Sequence, residues 1–194
     1  MNDLIQPLQR DALEQLRDAV PRVIDALVLE EEVDLRTWRS LLDNKLLPRV
    51  SGDFPVVAAI CGGGSSGKST LFNALADTPL SPTGGRAGIN RRILAAGHPE
   101  VLGRENLQRA IFDPLGDVPE FLENTRDLCK PGGPLVVHSE RIPRQLVLLD
   151  TPDFDTGAKG EYINREVTRQ ALEASDILIY IFTNSNYNLS LIHI

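Results

Sequence analysis

Residues 55–69 read Pro55-Val-Val-Ala-Ala-Ile-Cys61-Gly62-Gly63-Gly64-Ser65-Ser66-Gly67-Lys68-Ser69. Pro55 to Cys61 is a short unbroken apolar run, the pattern of a strand buried on both faces. The next eight residues match G-x-x-x-x-G-K-[ST] in full, and a helix is expected from about Lys68 to Ala76. The residue types follow from the chemistry. Glycines let the backbone curl so that successive N–H groups of Gly62, Gly63, Gly64, Ser65, Ser66 and Gly67 point into one concavity, where they can cradle phosphate oxygens. The helix that follows, opening with Lys68, Ser69 and Thr70, adds its positive N-terminal end, about half an elementary charge. In such a loop the Lys68 ammonium bridges β- and γ-phosphates, and the Ser69 hydroxyl ligates Mg²⁺.

A second signal lies 82 residues beyond Lys68, in Leu148-Leu149-Asp150-Thr151-Pro152-Asp153. An apolar strand that ends in Asp sets a carboxylate at the carboxyl edge of a sheet, where ligands of open α/β folds bind. Paired with the upstream loop, Asp150 is expected to hold Mg²⁺, directly or through water.

Outward from these motifs the chain alternates strand and helix. Arg92–Ala96, Gln145–Leu149 and Asp176–Phe182 read as further strands of the buried type. Ile163, Val167, Ala171 and Leu172 mark a helical stripe between the last two. Strands alternating with helices predict a parallel α/β sheet. The Pro- and Gly-rich stretch 97–143 reads as an insertion between strands, with short helical pieces around 105–112 and 118–128. Before residue 50 the texture is helical. Leu4, Leu8, Leu13, Leu16, Val20, Val23, Ile24 and Leu27 recur at amphipathic spacing, and Pro21 is expected to kink or split the helix. Asp34 is placed to cap a second helix carrying Leu35, Trp38, Leu41, Leu42 and Leu46. Such a stripe is expected to pack within its own domain or on a neighbouring helix.

Strand–GGGSSGKS–helix followed by LVLLDTPD resembles the first and third guanine-nucleotide elements of translation-factor-class GTPases, Era-like and dynamin-like. The long gap between the two elements and the preceding helices resemble the dynamin-like large GTPases most, including their bacterial members. The resemblance covers about residues 55–183. It implies a P-loop three-layer α/β sandwich, with a mostly parallel sheet flanked by helices. It further implies Mg²⁺-dependent binding and hydrolysis of GTP as a nucleotide switch, with Lys68 and Asp150 catalytic and Mg²⁺ held by Ser69 and Asp150. Residues 83–92 resemble switch I of that family, where a Thr precedes two Arg residues and closes over Mg²⁺; here Asn90 stands in the Thr position and Thr83 is the nearby alternative. The family's D-x-x-G becomes D-x-x-D, so the backbone N–H expected at the γ-phosphate belongs to Asp153, which adds a carboxylate. Phe154 stands where Ras-like enzymes carry a water-orienting Gln, so hydrolysis is expected to be slow and to draw on K⁺, on a homodimer through the G domain, or on another residue. Arg86 reads as either an internal charge-stabiliser or a solvated surface residue.

Composition narrows the alternatives. Over 194 residues, 42% are hydrophobic and 24% charged, a globular profile. Asp and Glu number 27 against 20 Lys and Arg, a net charge of −7, which argues against general nucleic-acid binding. Cys61 and Cys129 are the two cysteines, too few for a disulfide scaffold and without metal-site spacing. His98 and His138 have no ligand-spaced partners. With no signal peptide and no membrane-length apolar run, a cytoplasmic protein is expected, engaging a membrane peripherally if at all.

The sequence therefore divides into a helical segment 1–50, a partial G domain 54–188, and a tail 189–194. The guanine-reading [NT]-K-x-D element does not occur. The terminal Leu189-Ser-Leu-Ile-His-Ile194 resembles a translated transposase-type sequencing adapter, so the reading frame is expected to be truncated. A membrane or protein partner would then be engaged by the missing C-terminal part. The rival readings are a nucleotide-binding scaffold with little hydrolysis, and a P-loop ATPase or kinase.

Overall fold

The computed structural model describes residues 5–28, 34–50, 52–83, 90–153 and 157–182, with backbone alone at 5–8 and 157–165. Arg86, Phe154 and the 189–194 tail lie outside the described residues. The chain divides into two compact units between Phe54 and Pro55.

In the first unit, α1 spans Ile5–Leu27 with Pro21 inside it, so of the expected kink or split the split does not occur. One missing backbone donor is a local cost that the flanking turns absorb. Helix α2 (Leu35–Leu41) starts at Asp34 as expected. Asp34 Oδ1 accepts from Arg36 N and Thr37 N, each at 3.1 Å, and Thr37 Oγ1 donates to Oδ2 at 2.7 Å. The helix continues through a π-helical turn (Leu42–Leu46) into α3 (Leu47–Arg49). Ile24 and Leu42 are buried, whereas Leu16, Val23, Leu27, Leu41 and Leu46 stay about half exposed or more, so the apolar stripe is only partly covered within this unit.

The second unit is an α/β fold of the P-loop NTPase type, built on a six-stranded, mostly parallel sheet flanked by helices. Its strands are β1 (Val56–Gly62), β2 (Leu94–Gly97), β3 (Glu120–Phe121), β4 (Leu135–His138), β5 (Leu146–Asp150) and β6 (Ile177–Ile181). Their spatial order is β3-β4-β2-β5-β1-β6. The helices are α4 (Lys68–Ala76), α5 (Pro99–Leu102), α6 (Glu105–Phe112) and α7 (Gly157–Ala174). Strand β1 pairs in parallel with β5 on one side and β6 on the other, which is why its residues from Val57 onward are buried without alternation.

The mostly parallel sheet is as expected and holds one antiparallel pair: β2 runs antiparallel to β5, with Leu94 opposite Asp150, and β4 and β3 follow the direction of β2. Two other expectations change. Stretch 97–143 is no insertion, because β3 and β4 extend the sheet from within it; the helix expected at 118–128 is replaced by β3 and a 3₁₀ segment, Thr125–Cys129. Arg92 anchors this half, donating to Gly133 O and lying with Nη2 2.9 Å from Glu120 Oε2. Finally, β6 is less buried than its run of Ile and Leu suggests. It has a strand neighbour on one side, and Ile177 and Leu178 are half exposed.

The core joins Ile60 of β1, Phe72 and Ala76 of α4, Leu94 and Ala96 of β2, Leu135 of β4 and Leu148 of β5. Phe72 and Phe112 are the largest fully buried side chains among the described residues, and Phe72 projects from the helix that carries Lys68 and Ser69. Phe72→Ala is expected to lower unfolding stability by about 3–5 kcal/mol through lost burial and a residual cavity. Urea denaturation followed by far-UV circular dichroism measures this, and a loss below about 1 kcal/mol would mean that α4 is not seated as described.

Candidate functional site

The parallel register of β1 and β5 sets Ile60 beside Asp150, so the loop leaving β1 and the residues leaving β5 emerge side by side at one sheet edge. Thr151 fixes the junction: its N–H and Oγ1 both donate to Ile60 O, at 3.3 and 3.0 Å. The glycines meet specific constraints. A Cβ on Gly62 would lie 2.7 Å from Ile181 O and 2.8 Å from Ser66 Oγ. Gly67, the N-cap of α4, adopts φ +97°, a left-handed conformation with open space around it, so there the backbone rather than room demands glycine.

Lys68 opens α4 and is 5% exposed. Its ammonium donates to Gly63 O at 2.8 Å and pairs with the Asp153 carboxylate. Asp153, expected to offer its backbone N–H to a phosphate and to add a carboxylate there, lays that carboxylate on the loop lysine. Ser69 Oγ donates to Asp150 Oδ2 at 2.9 Å. Asp150 is buried, and its Oδ1 has no hydrogen-bond partner. Burial pushes the Asp150 carboxyl above its ordinary value, against the donations from Ser81 and Ser69 and the Lys68 charge; Asp153 adds to the rise. Ser66 Oγ is a second buried, unpartnered oxygen in the loop.

Gly62, Gly63 and Lys68 are buried, Gly64, Ser66 and Ser69 half-buried, and Ser65, Gly67 and Thr70 exposed, so the loop leaves the sheet edge buried and alternates toward solvent from Gly64 on. Among the described residues neither Thr83 nor Asn90 is bonded to Ser69 or Asp150. Thr83 is exposed, and the Asn90 Oδ1 is buried without a partner. Burial also pushes the Cys61 thiol up, keeping it in its unreactive form. His98 caps α5, accepting from Glu100 N at 3.2 Å, and the His138 ring packs edge-on against Phe121. No group of three His, Cys, Asp or Glu able to hold a metal occurs among the described residues.

Two residues at this site escape sequence reasoning. Ser81 Oγ donates to Asp150 Oδ2 at 2.7 Å, and Asn73 of α4 holds the Leu80–Ser81 backbone in place. An Asn in mid-helix, where its side chain competes with the backbone, is the one signal that pointed toward them.

Neither a protein-family model nor a curated protein sequence matches this chain. Solved structures do. Two belong to an oligomerised bacterial dynamin pair described as a mechanism for long-range sensing and tethering of membranes. One is 18% identical at a TM-score of 0.39, covering 88% of this chain and 28% of its own; the other is 19% identical at 0.41, covering 89% and 34%. This chain thus spans about a third or less of those chains.

A carboxyl raised by burial holds its proton longer in the native state than in the unfolded one. Its stabilising effect is therefore fullest below the unfolded value near 3.8 and is lost as pH rises through the folded value. Asp150→Asn is expected to flatten this decline and leave the metal-free protein more stable than the native sequence at neutral pH. Thermal melts in chelator from about pH 4 to 8 check it, and parallel pH profiles would mean that Asp150 ionises without penalty.

Proposed function

We propose that this chain binds Mg²⁺·GTP and hydrolyses the γ-phosphate slowly, so that bound nucleotide acts as a switch. The observation that carries the reading is the convergence of Lys68 and Ser69, at the head of α4, on Asp150 and Asp153 at the end of β5. Lys68 stands at the head of a helix behind a glycine loop, where an ammonium and helix N–H groups can together meet an anion once Asp153 is displaced. On this reading the loop N–H groups from Gly62 to Ser69 receive phosphate oxygens, and Lys68 exchanges Asp153 for the β- and γ-phosphates.

The donor set also suits Mg²⁺. The Ser69 hydroxyl and the buried, unpartnered Asp150 Oδ1 are hard oxygen ligands, and Mg²⁺ in nucleotide sites takes few ligands from protein and the rest from phosphate and water. When bound, Mg²⁺ would neutralise charge developing on the phosphates. Ser69 and Asp150 would hold it, Lys68 would orient the triphosphate, and the buried sheet edge would limit water. The preference for guanine, and any use of K⁺, of a homodimer, or of a membrane or protein partner, belongs to the proposal through the sequence resemblance. A second reading, a nucleotide-binding scaffold with little turnover, is favoured by Asn90, which stands in the Thr position of the switch I resemblance and whose Oδ1 is buried without a partner.

Lys68→Ala removes a charge-assisted contact of about 1.5–3 kcal/mol and is expected to weaken a fluorescent GTP analogue roughly tenfold or more. Asp153→Asn, which frees the ammonium without removing bulk, is expected to tighten the same analogue several-fold. Equal affinity of the Lys68 variant and the native chain would end the proposal. Unlabelled GTP and ATP in competition decide the base, and single-turnover phosphate release separates the slow hydrolase from the scaffold.

A further inference from the structure

Asp150 receives two hydroxyl donors on one and the same oxygen. Ser69 Oγ reaches Oδ2 at 2.9 Å from the phosphate-loop helix, and Ser81 Oγ reaches it at 2.7 Å from the turn after that helix. The other oxygen, Oδ1, is buried with no partner. A buried carboxylate satisfied twice on one side and left open on the other is oriented, since each donor fixes the same rotamer.

Ser81 is itself held. Asn73 Oδ1 accepts from Leu80 N at 2.9 Å and Ser81 N at 2.8 Å, while Asn73 Nδ2 donates to Ser81 O at 2.7 Å. Three hydrogen bonds from one side chain fix the backbone on both sides of the Leu80–Ser81 peptide, and Ser81 is 4% exposed. A single helix, α4, therefore supplies the Ser69 donor and, through Asn73, the support for the Ser81 donor.

We propose that Ser81 is a positioning residue for the divalent cation of the nucleotide complex, aiming Asp150 Oδ1 at the cation by holding Oδ2, with Asn73 as its support. Its usefulness lies in the division of labour with Ser69. If Ser69 ligates the cation, its hydroxyl is no longer committed to Asp150 alone, and Ser81 keeps the carboxylate oriented at that moment. The inference rests on the nucleotide-binding reading above and deepens it.

The test is the ratio of nucleotide affinity in Mg²⁺ to that in EDTA, measured by titrating a fluorescent GDP analogue into the full chain. This linkage ratio reports coupling between the cation and the nucleotide, which a purely structural hydrogen bond would not change. Ser81→Ala is expected to lower the ratio about tenfold. Asn73→Ala, which keeps the Ser81 hydroxyl but releases its backbone, is expected to lower it in the same direction by a smaller factor, and it serves as the reading should Ser81→Ala fail to fold. A ratio within twofold of native in folded Ser81→Ala or, where that variant does not fold, in Asn73→Ala would overturn the inference while leaving the nucleotide site intact. Failure of the native chain to bind the analogue in either buffer would overturn the functional reading and this inference with it.

Discussion

Much of the candidate site depends on the parallel pairing of β1 with β5. Because Ile60 lies beside Asp150, the glycine loop and the acidic end of β5 emerge at the same sheet edge although 82 residues separate Lys68 from Asp150. The two Thr151 hydrogen bonds to Ile60 O tie the strand ends at the point where they diverge. Shifting this register by one residue would turn Asp150 to the opposite face of the sheet and dissolve the constellation, while leaving local strand and helix propensities untouched.

Burial determines how the charged groups behave there. Lys68, Asp150 and Asp153 sit close together with little solvent around the first two, so each can persist only with partners. Lys68 takes Gly63 O and Asp153; Asp150 takes two hydroxyls. The asymmetry is informative. The cation is satisfied on the sides seen here, whereas the carboxylate keeps one oxygen unanswered, and unanswered buried acceptors are uncommon in folded proteins.

The strand, loop and helix from Pro55 to Ala76 were legible because every rule involved is local: an apolar run, glycines, then a helix. The end of β5 was legible to within a residue for the same reason. Strand β4 was not. Leu135-Val-Val-His138 is four residues long behind the punctuation of Pro131, Gly132, Gly133 and Pro134, too short for a period to declare itself, and it is held by pairing with β2 and β3 on either side. The reversal of direction between β2 and β5 is likewise set by which strand lies next to which, information that no window of sequence contains. Ser81 escaped because its meaning is a contact with a carboxylate 69 positions away. Asp153 was noticed as a departure from D-x-x-G, but its partner, Lys68, became evident only once both elements were in place.

The pairing of Lys68 with Asp153 bears on how fast an anion could arrive. Long-range attraction to a binding cleft requires uncompensated positive charge, and the field must survive the screening of physiological salt. Here the one buried lysine of the loop is already matched by a carboxylate, in a chain whose net charge is −7. A triphosphate approaching the proposed site is thus not drawn in from a distance. Its capture would be governed by collision and by how often the internal ion pair separates, so encounter is gated locally rather than steered from afar.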